Sequence, residues 1–209
     1  MLYLCPRIQT DISHYIQSLY HITQMKLLLI LLTALSSLLS TLEQKILQSD
    51  FTITMTSKND QPITYAGTFT IQGEKFLLNA FGMEAAYNGE TMYLYQEETD
   101  ELTISYPTQE ELYQTNPLLF AKALSASSNI TEKAAADGKT VLITLTPKDK
   151  TTDIERMNVR VRVRDNMPIL IEIKEPQRSS TMRMGHPQFI SAAPPFIIEK
   201  EGAYINDLR

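Results

Sequence analysis

Few residues of this chain have the means to do acid–base or covalent chemistry, and their spacing does not assemble a reaction centre. Of its three histidines and one cysteine, His14, His21 and Cys5 fall in the first 24 residues, which leaves His186 as the single imidazole of the remainder. A hydrolase needs a nucleophile beside such a base. Serines such as Ser179 or Ser180 come without the Gly-x-Ser-x-Gly elbow that exposes a serine on a strand-to-helix turn. Glu97-Glu98 falls in an acidic turn and Glu110-Glu111 in a first helical turn, where carboxylates serve solvation and the helix dipole. One cysteine can form neither an intramolecular disulfide nor a thiolate cluster for zinc, and neither a glycine-rich phosphate loop nor a metal-ligand spacing occurs. The expectation is a protein that binds without a chemical step, with no cofactor and no metal.

Charge narrows the partner. A formal net charge of -5 disfavours a phosphate-backbone binder, which needs clustered Lys and Arg, so no nucleic acid is expected. Arg160, Arg162 and Arg164 share one strand face opposite Val159, Val161 and Val163; this is either a solvated face or a docking stripe for an acidic partner or phospholipid head groups. Met182 and Met184 alternate with polar residues and suit either a core or a surface that adapts to varied apolar ligands.

The N-terminal region reads as an export signal. Met25-Lys26 precedes the apolar run Leu27 to Leu32 and the small residues of Ser36-Ser37-Leu38-Leu39-Ser40, a basic, apolar, then small pattern. The run is shorter than the roughly 20 apolar residues a membrane helix needs. An uncleaved anchor and an amphipathic core helix are the alternatives. Residues 1–24 read as an upstream extension with Met25 as initiator, 25–40 as the signal peptide, and 41–209 as one domain, soluble in the periplasm after cleavage. No cysteine stands at the cleavage point, so the product is not itself lipid-modified.

Beyond that point the period is mostly two. Thr41 to Gln44 fits a capping box opening a short helix. From Ser49, Phe51, Ile53 and Met55 alternate with polar residues, as do Tyr65, Gly67, Phe69 and Ile71. Asn88-Gly89 and Asp137-Gly138 are hairpin turns. In the middle, Thr108 to Glu111 is a second capping box, and Asn116-Pro117 sets an N-cap before a proline at N1. The helix that follows is apolar around much of its circumference, so something must cover it on more than one side. The fold class expected is mainly β (α+β): an incomplete antiparallel barrel of about eleven strands with an N-terminal helix and a central helical lid. Tyr65, Phe69, Ile71, Phe76 and Leu78 are candidates to line the space between sheet and lid. Tyr93, Tyr95, Leu118 and Phe120 complete the set, each with a plain core position as the alternative.

The order of these features resembles the outer-membrane lipoprotein carrier family, LolA. The resemblance rests on Gly67-Thr68-Phe69-Thr70-Ile71, the Phe76 strand, Asn88 to Tyr95, Pro107-Thr108, Asn116-Pro117 and Leu145-Thr146-Pro147-Lys148, and runs from about Leu42 to Arg209. It implies a cavity that holds lipoprotein acyl chains without a cofactor. It also implies shuttling from inner to outer membrane, with an inner-membrane lipoprotein-releasing transporter and an outer-membrane acceptor as partners. Each buried methylene contributes about 0.8 kcal/mol, so acyl chains cross water only when shielded. One departure stands out: where the family carries an Arg-Pro pair whose arginine latches the lid, this chain has Gly73-Glu74. Lys75 points to the opposite face by alternation and does not inherit the role. The competing expectation is a non-enzymatic periplasmic regulatory module using the same half-barrel to bind protein.

Overall fold

The computed structural model describes residues 33–149 and 152–209. The expected upstream extension and the apolar run of the expected signal peptide lie outside the described residues. Helix α1 (Thr33–Gln44) leads into a meander of β1 (Ile46–Ser57), β2 (Ile63–Gln72), β3 (Lys75–Ala80), β4 (Met83–Tyr87), β5 (Met92–Gln96) and β6 (Glu101–Ser105). Helices α2 (Gln109–Thr115) and α3 (Pro117–Ala126) follow. A second run comprises β7 (Ser128–Ala134), β8 (Thr140–Pro147), β9 (Arg156–Arg162), β10 (Met167–Lys174), β11 (Arg178–Met184), β12 (Gln188–Ile190) and β13 (Tyr204–Asp207).

Among the described residues all thirteen strands join one sheet, ordered β13-β6-β5-β4-β3-β2-β1-β11-β10-β9-β8-β7, with β12 on β1. The sheet stays open, with β13 and β7 at its edges, which makes it an incomplete barrel. Strand β1 is its spine: Leu47 to Met55 pair with β2, Phe51 to Ser57 with β11, and Ile46 to Gln48 with β12. The strand total exceeds the expected eleven for two reasons. The stretch from Ser180 to Ile190 divides into β11 and β12, and a two-residue Phe81-Gly82 turn makes β3 and β4 a hairpin. Both turn residues hold positive φ, a conformation that favours Asn and Gly and gives no warning when the residue is Phe. Residues Phe196 to Ile198 form no strand but a strap across one face, and β13 adds parallel to β6.

Alternation sorts the side chains to two faces. Phe51, Phe69, Ile71, Phe76, Tyr87, Met92, Ile143, Val159, Ile171 and Met182 share the inner core with Leu112, Leu118 and Leu124 of the helices. A smaller cluster of Ala86, Leu102 and Ile198 occupies the outer face beneath the strap. Arg160 and Arg162 lie on the outer side of β9, but Val163 and Arg164 fall beyond the strand, and Arg162 is committed to Asp165 (2.8 Å).

Helix α1 begins eight residues before the expected cap, and Thr41 lies inside it, donating its hydroxyl to the Ser37 carbonyl (2.7 Å). The expected capping box there is therefore corrected. The helix start is instead capped from the sheet edge, where Glu132 of β7 accepts from the Leu35 N–H (2.9 Å) and the Ala34 N–H (3.3 Å). Leu35, Leu38 and Leu42 enter the inner core, Leu38 with no exposed surface at all. Removing a buried leucine costs about 2–5 kcal/mol. A chain beginning at Thr41 should therefore be less stable than one beginning at Thr33 by at least that amount in urea titrations. Coincident midpoints would mean that the first two turns of α1 contribute nothing to the core.

Candidate functional site

The inner face of β2 and β3 carries an apolar surface on which α2 and α3 rest. Phe69, Ile71, Phe76 and Leu78 come from the strands, Met182 and Met184 from β11, and Thr115, Pro117 and Leu118 from the lid. Between them is a cavity of about 20 Å³. Gly67 shapes this surface, because a Cβ there would meet the Asn79 carbonyl at 2.5 Å and the Phe51 ring at 2.6 Å. Its absence lets that ring lie across β2, 5.9 Å from Phe69. A second cavity of about 20 Å³ lies between α1, α3 and the β2–β3 turn, lined by Leu39, Leu42, Ile71, Gly73, Leu118 and Lys122 among others. Ligand sites typically occupy roughly 300–1,000 Å³. The lid is closed, and an acyl chain enters only if the helices move.

What holds the lid is legible bond by bond. Thr108 caps α2 in a reciprocal box with Glu111, whose carboxyl the Thr108 backbone N–H holds below the ordinary glutamate value. Asn116 caps α3 through Oδ1, which accepts from Leu118 N–H (3.2 Å) and Leu119 N–H (3.1 Å). Lys122 of α3 reaches Glu43 of α1 (3.0 Å), and this bond raises the lysine's pKa. The Gly73 N–H donates to the Leu42 carbonyl at the end of α1 (2.9 Å). Asn166 donates to the Ser37 hydroxyl (2.7 Å). At the position where the resembled family uses an arginine side chain, this chain joins helix to turn through a glycine amide, and an exposed ion pair ties the two helices.

Of the nine residues expected to line the space, Phe69, Ile71, Phe76, Leu78 and Leu118 converge on it. Phe120 packs against the inner core from α3, with its ring tilted against that of Tyr113 (centroids 5.9 Å apart). Tyr65 stands on the same face but past the lid, 36% exposed, with its ring edge-on to Phe81 at 4.6 Å. Tyr93 and Tyr95 are corrected: they pair with Ala86 and Glu84 on the outer face, under the strap. There Lys200 lies 4.4 Å over the Tyr95 ring and bonds Glu84 (2.6 Å). Both faces of β5 are apolar, Met92 and Leu94 inside and the tyrosines outside, so alternation alone could not choose between them. An outer cleft of about 210 Å³ lies beside this strap, lined by Thr68, Thr70, Leu77, Asn79, Glu84 and Ile198 among others.

Sequence reasoning overlooked the uncovered end of the inner face. Met55, Ile63, Tyr65 and Phe81 are exposed large apolar residues there, with Met55 opposite Ile63 and Ile53 opposite Tyr65 in register. They continue the surface that Phe69 and Leu78 begin beneath the lid. The same alternation that marks a core marks this ledge, and only the extent of the helices separates the two.

His186 sits in the β11–β12 turn with its side chain almost wholly exposed. Its N–H donates to Asp50 Oδ1 (2.8 Å), the interaction that chiefly depresses the Asp50 pKa, and its Nδ1 lies 3.0 Å from the same oxygen. Gly185 gives the Asp50 carboxylate room beside it, since a Cβ there would displace that carboxylate. Ser179 and Ser180 lie farther up β11, opposite Thr56 and Met55, and among the described residues no serine hydroxyl bonds His186. The pair ties β1 to the turn between β11 and β12. Among the described residues no group of three or more His, Cys, Asp or Glu could hold a metal, and no helix is long and apolar enough to cross a membrane.

No protein-family model matches the sequence, and neither does any curated protein. Solved structures do match. An uncharacterized conserved protein from Thermus thermophilus is 9% identical with a TM-score of 0.55, covering 82% of this chain and 98% of that one. A LolA superfamily protein from Nitrosomonas europaea is 10% identical with a TM-score of 0.41, covering 79% and 97%. A putative outer membrane lipoprotein-sorting protein domain from Vibrio parahaemolyticus is 9% identical with a TM-score of 0.40, covering 77% and 93%. At these identities the likeness concerns the fold alone.

The exposed Lys122–Glu43 pair contributes about 0.2–1 kcal/mol. Lys122→Glu should raise hydrogen exchange of α3 amides by about two- to fivefold, and Glu43→Lys added to it should restore protection. Unchanged exchange in the single variant would show that the pair does not hold the lid.

Proposed function

We propose that this open, largely antiparallel sheet with helices closed over its inner face, in the element order that the sequence resemblance implied, is a divergent LolA-like non-enzymatic carrier that shelters the acyl chains of a lipoprotein between that face and the lid, and shuttles it across the periplasm. The observation that carries this reading is the continuous apolar surface, half lidded and half bare. Phe69, Ile71, Phe76 and Leu78 lie under the helices, and Met55, Ile63, Tyr65 and Phe81 lie beyond them.

The energetics suit reversible capture. Helices of seven and ten residues are too short to be stable alone, so α2 and α3 depend on the apolar surface they cover. An acyl chain offers that surface a substitute partner, at about 0.8 kcal/mol per buried methylene. Met182 and Met184 give the floor a polarizable, adaptable lining. The ledge then serves as the first contact for a chain that slides beneath the lid. Phe81 fits that role, since a phenylalanine held at positive φ costs about 1–2 kcal/mol and still leaves its ring 40% exposed. If an export signal is removed, the core position of Leu35 and Leu38 supports a cut upstream of both.

The closed cavities favour one second reading: the ledge seats a segment of a partner protein and the lid never opens. Native mass spectrometry of the chain from Thr33, with and without a triacylated lipopeptide, separates the two. Stoichiometric retention of the acylated form over its unacylated counterpart is expected of a carrier; retention of neither supports the protein-binding module. Phe81→Asn relieves backbone strain but loses the Tyr65 contact, so stability should stay within about 1 kcal/mol. Lipopeptide uptake should nevertheless slow. Tyr93→Ala, on the other face, should leave uptake unchanged, and the reverse pattern would move the site to the outer face.

A further inference from the structure

Asn116 joins α2 to α3 and is buried to 1% exposure. Three of its four polar atoms are committed. Its N–H donates to the Leu112 carbonyl (2.9 Å), its carbonyl accepts from Phe120 (3.0 Å), and Oδ1 caps α3. The fourth, Nδ2, is a buried donor without a partner among the described residues. A buried amide left unpaired forfeits its hydration without return, and natural proteins seldom tolerate it without a use.

The residues on both sides of it, Thr115 and Pro117, line the inner cavity. That cavity is large enough for one water but poor in groups to hold it, since a bound water wants two to four polar partners and the other lining residues are apolar. A ligand that brings its own acceptor into an apolar space meets the need better. An acyl chain does so at one point, the carbonyl of its ester or amide.

We infer that the Asn116 side-chain amide recognises the carbonyl at the head of a bound acyl chain, donating through Nδ2 while Oδ1 goes on capping α3. This rests on the carrier reading and extends it. Apolar burial supplies affinity for any hydrocarbon tail, whereas Asn116 distinguishes an acyl ester from a plain alkyl chain. Because the residue is also the lid's hinge, the bond forms at the segment that must move for the chain to enter.

The test compares a lipopeptide carrying ester-linked chains with its ether-linked counterpart, on the chain from Thr33 and on its Asn116→Asp and Asn116→Ser variants. Both replacements keep an N-cap acceptor and remove the amide donor. Wild type should prefer the ester by up to about tenfold, the range of one neutral hydrogen bond. The variants should lose that preference and keep wild-type affinity for the ether. Thermal melting checks that they fold, and the wild-type comparison stands even if neither does. Equal binding of both probes by wild type, or an unchanged preference in the variants, overturns the role of Asn116 alone. Binding of neither probe by wild type overturns the carrier reading and this inference together.

Discussion

An open sheet with an apolar inner face cannot stand in water uncovered, and most of this molecule follows from that constraint. A closed barrel would pack its interior against itself; here β7 and β13 remain edges among the described residues, so helices α1, α2 and α3 take over the task. Helix α1 packs on β2 from one half of the sheet and β8 from the other, while Glu132 at the β7 edge caps its start. The two halves are thus joined through β1 in the sheet and α1 above it.

The cover is unequal in a way that matters for function. Helix α1 is anchored by buried leucines, a carboxylate cap and Asn166, so it behaves as part of the core. Helices α2 and α3 are short, meet at Asn116, and are tied to α1 and its neighbours by exposed or single bonds. A lid with that construction depends on the apolar surface beneath it more than on bonds to its neighbours. The outer face is closed differently, by the strap whose Phe196 and Ile198 are buried and whose Lys200 pairs with Glu84, so both sides of β3 to β5 are covered.

Local chemistry made much of this legible in advance. The Thr108 box, the Asn116-Pro117 cap and the Asp137-Gly138 hairpin stand where their residue types require, because capping and turn geometry depend on neighbours a few positions away. Four of the lining residues, Phe69, Ile71, Phe76 and Leu78, followed from period-two alternation, and Leu118 from the apolar helix that begins at Pro117. Tyr93 and Tyr95 did not, because a strand apolar on both faces carries no phase information. Phe81 did not, because its strained turn contradicts its own propensity.

By itself, then, the sequence determined the fold class, the placement of the lid helices and the apolar character of the inner surface, since these rest on periodicity and on caps that act within one turn of chain. Only the tertiary structure decided which apolar residues are covered and which form the bare ledge, since that depends on where α2 and α3 come to rest. It also placed Leu35 and Leu38 in the inner core and joined helix to turn through the backbone amide of Gly73. It left the Asn116 amide buried and unpaired, between two residues that line the cavity. Such contacts join residues far apart in the chain, and no local pattern encodes them.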